Sequence, residues 1–160
     1  MRHSEAAIAD ELSDKDRPLT DHGIAKCHLV ANYLNEIGDY PDLILSSSSL
    51  RTRQTAQHIF TNIDLVIKSN YMDKLYYASP GDIYEIIKNI DNHNAKVMLI
   101  SHNPSISNLA IMLADPESQK RYFAMQKYFD TAEIVKYEFN QEDWKDVGLY
   151  EGKIVWGFKC

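Results

Sequence analysis

The chain is poor in the features that mark several large protein classes. Cysteine occurs only twice, as Cys27 and Cys160, with no CxxC pair and no Cys/His spacing of the zinc-binding kind. A cysteine-built metal site is therefore not expected. The number of thiols permits one disulfide, but two free thiols are the expectation. No apolar run approaches the roughly 20 residues of a membrane span, and the first residues lack the apolar stretch of a secretory signal. These absences lead to the expectation of a cytoplasmic protein with no membrane partner. Positive charge is also scarce: 17 Lys and Arg stand against 23 Asp and Glu, a net charge of -6. With no basic stripe, nucleic acid is not an expected partner. Repeats, low-complexity segments and linkers are absent, and so is the GxSxG elbow of a serine hydrolase. What remains is ordinary for a globular chain: 44% hydrophobic and 25% charged residues in 160, enough to bury one core. The expected organisation is one domain over residues 1–160.

Along the chain, short apolar runs alternate with helical periodicities. Residues 20–38 read as a helix through Ile24, Cys27, Val30, Leu34 and Ile37, with Gly38 as its stop. Leu43-Ile44-Leu45 reads as a strand covered on both faces, and residues 50–61 as a second helix. "DLVIK" (64–68) is the next strand candidate. Ser79, Pro80 and Asp82 announce a helix over 79–91. "KVMLIS" (96–101) is another buried strand, and Asn103-Pro104 reads as the N-cap and first position of the helix that follows. Strands are expected at 132–139 and 153–159, with an irregular connection around Trp144. The alternation predicts an α/β fold: a three-layer sandwich with a largely parallel central sheet flanked by helices. Ligands bind such sheets beyond the carboxyl ends of the strands.

Three of those strand ends share one chemistry. Met1 is followed by Arg2-His3-Ser4; the strand at 43–45 by four serines and Leu50-Arg51-Thr52-Arg53; the strand at 97–100 by Ser101-His102-Asn103-Pro104. Two arginines and two histidines would then meet where helices begin, a setting that favours anions. Arginine grips phosphoryl oxygens in a bidentate fork. A histidine kept neutral by neighbouring arginines is a competent nucleophile toward phosphorus. Carboxylates suited to a metal are missing from these turns, so neither a metal nor another cofactor is expected. Arg53 is expected on the surface. Asp16 and Arg17 are expected to pair at the entrance to the first helix. His22, His28, His58 and His93 read as surface histidines.

"MRHSEA", "LILSSSSLRTRQTA" and "VMLISHNPSI" resemble the three signatures of the histidine phosphatase superfamily, most closely its short SixA-type branch. "DRPLTDHG" (16–23) resembles the approach to that family's first helix, and "FDTAEIVKYEF" with Trp144 its C-terminal strands, so the similarity spans nearly the whole chain. The resemblance implies a phosphoglycerate mutase-like fold over 1–160. It implies His3 as the nucleophile, Arg2 and Arg51 as the phosphoryl clamp, and His102 as the residue that completes the phosphate site. Asp73 stands nearest to the glutamate that serves larger members as general acid, and Ser4 replaces the family's glycine. The activity implied is metal-independent hydrolysis of phosphohistidine on a signalling protein, such as a histidine phosphotransfer domain, through a phosphohistidine on the enzyme. The alternatives are a phosphatase for small phosphoesters and a phosphate-binding module without turnover. In the family about five apolar residues precede the position of Met1, so the first strand reads as truncated. Two expectations follow: a chain that starts upstream, or a strand of one to three residues. The second would hold His3 on a tether, with an α-amino charge of pKa near ~8 close to the phosphate.

Overall fold

The computed structural model describes residues 1–8, 11–61, 63, 65–124 and 128–160. The first helix, α1 (Asp21–Ile37), starts where the Thr20 hydroxyl accepts the Gly23 amide and stops at Gly38, whose left-handed φ of 63° returns an N–H to the Leu34 carbonyl. Its buried stripe is Cys27, Val30 and Leu34. Strand β1 (Leu43–Ser47), buried throughout, leads into helix α2 (Leu50–Phe60). Strand β2 (Lys68–Met72) runs into a 3-10 turn at Asp73–Leu75, and α3 (Pro80–Lys88) opens on the expected capping box between Ser79 and Asp82. Strand β3 (Val97–Ile100) and helix α4 (Ser105–Leu113) follow, then α5 (Pro116–Tyr122), β4 (Ile134–Glu138) and β5 (Lys153–Phe158). Further 3-10 turns lie at Asp14–Asp16 and Trp144–Asp146.

The strands β2-β1-β3 form a parallel sheet with β1 in the middle, while β4 and β5 pair antiparallel. Side-chain alternation along β1 sorts the core into two layers. Leu43 and Leu45 pack with Ile83, Ile86 and Leu109; Ile44 packs with Val30, Leu34 and Ile59. Each such side chain, fully buried, contributes about 1.5–3 kcal/mol. Helices thus cover both faces of the parallel sheet, as the strand–helix alternation predicts. Cys27 and Cys160 are both free thiols; Cys27 is fully buried, with the Ser4 and Thr55 hydroxyls close enough to act on its thiol.

Residues 1–3 lie between the two sheets. Toward β3, the Met1 α-amino group donates to Leu99 O, Ser101 N donates to Met1 O, and His3 N donates to Ser101 O. On the opposite side, Arg2 N donates to Glu133 O and Ala132 N to His3 O. His3 is buried and held from both edges, so it is not tethered. Burial also pushes the α-amino group down to about 5, which removes the charge expected beside the phosphate.

The structure differs from expectation in three elements. The strand placed at 64–68 lies at Lys68–Met72; position 64 is outside the described residues, while Leu65 and Val66 are exposed. Among the described residues that strand pairs only with β1, in a register starting Leu43↔Lys68, while Ile67 just ahead of it packs against the core beside α1 and α2. Helix α5 went unpredicted because "PESQKRY" has no apolar stripe; Asp115 caps it by accepting from Ser118 N at 2.6 Å. Asn103 does not cap α4. Its amide donates instead to Phe129 O at 2.9 Å, and Pro104 takes the cap position.

An apolar cavity of about 520 Å³ runs between β3 and β4, lined by Val97, Leu99, Ile106, Leu109 and Val135, with Met1 in its wall. Four or five apolar residues joined to Met1 Nα, extended along β3, would fill it at ~3.3 Å per residue. A variant carrying that extension is expected to melt at least ~5 °C higher. An unchanged melting temperature in a thermal scan contradicts this account of the cavity.

Candidate active site

Three loops converge at the carboxyl end of the parallel sheet. The parallel bridge between Arg2 and Ser101 sets the first beside the third. His3 and His102 stand with ring centroids 5.1 Å apart. The serine-rich turn after β1 supplies the link to the second loop: Ser47 Oγ lies 2.9 Å from His102 Nε2, while Thr52 donates to Ser47 O at 2.6 Å and thereby fixes the first turn of α2, where Arg51 sits. The Arg51 guanidinium lies over the Tyr76 ring at 5.8 Å, and Tyr76 meets the His102 ring edge-on at 5.5 Å.

The loop after His3 is stitched to the start of α1. Ser4 Oγ donates to Gly23 O at 2.7 Å, and Ser4 N donates to Thr55 Oγ1 at 3.0 Å. Thr20 N donates to Glu5 O, and Ala6 bridges Leu19. The contact is close: a Cβ on Gly23 would lie 2.2 Å from Glu5 O. The third loop is fastened through Phe129, whose carbonyl accepts from Arg2 Nη1 and from Asn103 Nδ2, both at 2.9 Å.

Electrostatics and hydrogen bonding define the state of each group. His3 Nδ1 lies 2.6 Å from Ser4 O, a carbonyl that can only accept. The ring proton is therefore on Nδ1 and the lone pair on Nε2. Burial, reinforced by His102, Arg51 and Arg2, pushes the His3 pKa down to about 3. Burial with Arg51 pushes His102 down to about 4. Both rings are neutral at pH 7. Two buried side-chain nitrogens in this cluster have no hydrogen-bond partner, Arg2 Nε and His102 Nδ1. An unpaired buried polar atom costs on the order of 1–3 kcal/mol; an oxyanion is the group that would satisfy Arg2 Nε–H together with His102 Nδ1–H, the tautomer in which Ser47 Oγ donates to Nε2.

The structure thus brings together Arg2, His3, Arg51 and His102. It does not bring Asp73 into direct contact with them. Asp73 is largely exposed and accepts from Lys15 Nζ at 2.6 Å and from Ser48 Oγ, with Lys15 holding its pKa down. The carboxylate on the cluster is Asp14, unmarked by sequence reasoning: Arg51 Nη2 donates to its Oδ2 at 2.9 Å and Tyr76 OH to the same atom at 2.5 Å. Arg17 pairs with Asp14 and not, as expected, with Asp16, which accepts from Ser13 Oγ. The 3-10 turn at 14–16 turns Asp14 toward both arginines, a fold-back that adjacency in the chain does not reveal. Ser47, Tyr76 and Phe129 were also missed; only the serine run carried a signal, read as a turn. Arg53 lies over Tyr71, as a surface residue would. Among the described residues, no group of three or more His, Cys, Asp or Glu is placed to hold a metal ion, and no helix is long and apolar enough to cross a membrane.

Several known proteins are similar to this chain. The profile of the histidine phosphatase superfamily (branch 1) matches residues 1–75, a span that holds Arg2, His3, Arg51 and Asp73. Phosphohistidine phosphatase SixA of Escherichia coli strain K12 is 30% identical over 120 residues, which is 74% of this chain and 74% of that protein. An uncharacterised protein of Mycobacterium tuberculosis is 36% identical over 114 residues, 71% of this chain and 70% of its own length. Among solved structures, the protein histidine phosphatase SixA complexed with tungstate matches with a TM-score of 0.79 and 26% identity, over 98% of this chain and 92% of that one. A structure from Agrobacterium tumefaciens assigned to phosphohistidine phosphatase SixA matches at 0.83 and 25%, over 100% and 95%.

Two outcomes test the site's construction. Gly23→Ala forces the loop after His3 away from α1 and is expected to destabilise the fold by about 1–3 kcal/mol; a thermal scan identical to wild type would show that the loop is not pinned there. Both histidines have folded pKa values below the ordinary 6.5. The unfolded chain therefore binds the extra protons, so stability is complete above pH 6.5 and is lost as pH falls toward 4 and then 3. Each histidine adds a slope of about 1.4 kcal/mol per pH unit within that window. His3→Gln is expected to remove one such slope, measured by urea unfolding between pH 4.5 and 6; an unchanged slope contradicts a neutral buried His3.

Proposed function

The chain belongs to the histidine phosphatase superfamily, and from that membership we propose that it removes the phosphoryl group from phosphohistidine on a protein, without a metal. Its family, fold and SixA-type relatives make it a hydrolase of the phosphatase class. The observation that carries the finer reading is the state of His3: neutral, with its proton tied to Ser4 O and its Nε2 free, beside Arg2, Arg51 and His102.

In this reading Arg2 and Arg51 hold the phosphoryl oxygens and neutralise charge as it spreads over them. His3 Nε2 attacks phosphorus; the new N–P bond forms as the bond to the substrate's imidazole breaks, and that ring, already protonated on its other nitrogen, keeps the bonding pair and departs as neutral imidazole. His102 donates to a phosphoryl oxygen through the transition state. Water then attacks the phosphohistidine, its proton is lost, inorganic phosphate leaves, and His3 returns to its starting state. No step calls on a metal.

The choice of a nitrogen leaving group rests on the carboxylates. An alkoxide leaves poorly unless an acid protonates it. Asp73, the candidate acid by resemblance, is paired with Lys15, and Asp14 is held down by Tyr76 and Arg51, so both are anions at neutral pH. A protonated imidazole departs without such help. A carrier of the histidine phosphotransfer type fits this chemistry, and the signalling role and the cytoplasmic location belong to the same proposal. Tungstate in the SixA structure is bound by that protein; here the corresponding anion is phosphate.

His3→Ala is expected to lower turnover of a phosphohistidine carrier by at least ~10³-fold. The wild type is expected to yield an acid-labile, base-stable phosphoenzyme and to keep its rate in EDTA. Equal turnover by wild type and His3→Ala would overturn the reading; faster hydrolysis of small phosphoesters than of phosphohistidine would move it to the phosphoester class.

A further inference from the structure

Arg51, one of the two residues that grip phosphate in the proposed reaction, is already engaged. Its Nη1 donates to Asp14 O at 2.5 Å and its Nη2 to Asp14 Oδ2 at 2.9 Å. The Arg51 side chain is almost wholly buried, at 7% exposure, whereas the Asp14 side chain is 54% exposed. One partner is thus fixed in the wall of the pocket, and the other reaches in from a surface turn. Tyr76 OH and Arg17 Nη1 steady the same carboxylate, on Oδ2 and Oδ1 respectively.

A carboxylate presents to a guanidinium fork the kind of anionic oxygen that a phosphoryl group presents. The two therefore compete for Arg51. Two further groups decide the exchange: Arg2 Nε and His102 Nδ1 are buried and unpaired. Asp14 bonds to neither, while a tetrahedral phosphoryl group held by Arg51 has oxygens to spare for both. Its larger charge also favours it on a cluster of arginines.

We propose that Asp14 is an internal ligand of the phosphate pocket, one that holds Arg51 between turnovers, yields it to an incoming phosphoryl group and reclaims it to expel the product. The role rests on the phosphatase reading and adds a positioning residue to it. Asp14 acts through Arg51, without touching the reacting atoms. It keeps a buried arginine oriented and charge-compensated in the free enzyme. It also weakens the pocket for free phosphate, so that product clears and the phosphate dissolved in a cell does not occupy the site. Discrimination follows as well. A substrate that brings further contacts from its protein can meet the free energy of displacing Asp14, whereas a bare anion has only its own oxygens.

The test is calorimetric titration of inorganic phosphate into wild type, Asp14→Asn and Asp14→Ala, with thermal scans to check folding. Both substitutions remove the competing charge and are expected to lower the phosphate Kd at least fivefold. In steady state both should lower kcat and KM for the phosphohistidine carrier together and strengthen inhibition by phosphate, because release becomes slower. A residue that merely supported the loop would weaken phosphate binding when replaced. A Kd equal to or weaker than that of wild type in both variants overturns the inference and leaves the phosphatase reading standing. Absence of phosphate binding in wild type and variants alike overturns that reading and the inference with it.

Discussion

The short ladder made by residues 1–3 is the constraint on which the site depends. It joins the parallel sheet through Leu99 and Ser101 to the antiparallel pair through Ala132 and Glu133. Because backbone bonds hold both edges, Arg2 and His3 have fixed directions although they stand at the first positions of the chain. Each side chain is then fixed by its own partner: Arg2 by the Phe129 carbonyl, and His3 by Ser4 O with His102 beside it. A flexible segment bearing the same two residues would lose entropy each time it met a phosphoryl group. Here that loss is borne in folding.

The same geometry explains why two histidines remain uncharged within a cluster of arginines. Burial alone disfavours imidazolium, and the arginines disfavour it further. A neutral ring is needed for attack on phosphorus, so in the proposed reaction the arginines that would hold the anion also ready His3 as the nucleophile. The acidic side chains nearby are apportioned with similar effect. Asp130 and Glu133 lie close enough to act on Arg2, and Asp14 lies on Arg51, so each arginine is compensated while neither histidine is bonded to a carboxylate.

The parts of this site that were legible in the sequence were those written locally. "RHS", the serine run before Arg51, and "SHNP" each stand at the carboxyl end of an extended segment, and the rule that ligands gather at strand ends is enough to group them. Helices with a cap and a stripe, such as α3 with Ser79, Asp82 and its isoleucines, were equally plain. What escaped depended on contacts between distant segments. Asp14 reaches Arg51 across 37 positions, and Phe129 O receives Arg2 across 127. Neither has a motif, because the partner is set by how a loop folds back. The misplaced edge strand shows the other limit. "DLVIK" is more apolar than "KSNYM", yet pairing with β1 fell to the latter, since an edge strand is selected by its ladder as much as by its side chains.

Cys27 lies directly behind this apparatus, close to Ser4 in the loop that bears the proposed nucleophile, His3. Burial lifts the Cys27 pKa to about 11, and the Cys160 thiol is raised as well. Neither is a thiolate at physiological pH, and thiolate is the form that peroxide attacks. Phosphatases that work through a cysteine are silenced when that sulfur is oxidised. A nitrogen nucleophile with only protonated thiols behind it has no such weakness. In the proposed reaction, phosphoryl transfer through His3 would therefore continue through an oxidative burst that halts sulfur-based dephosphorylation.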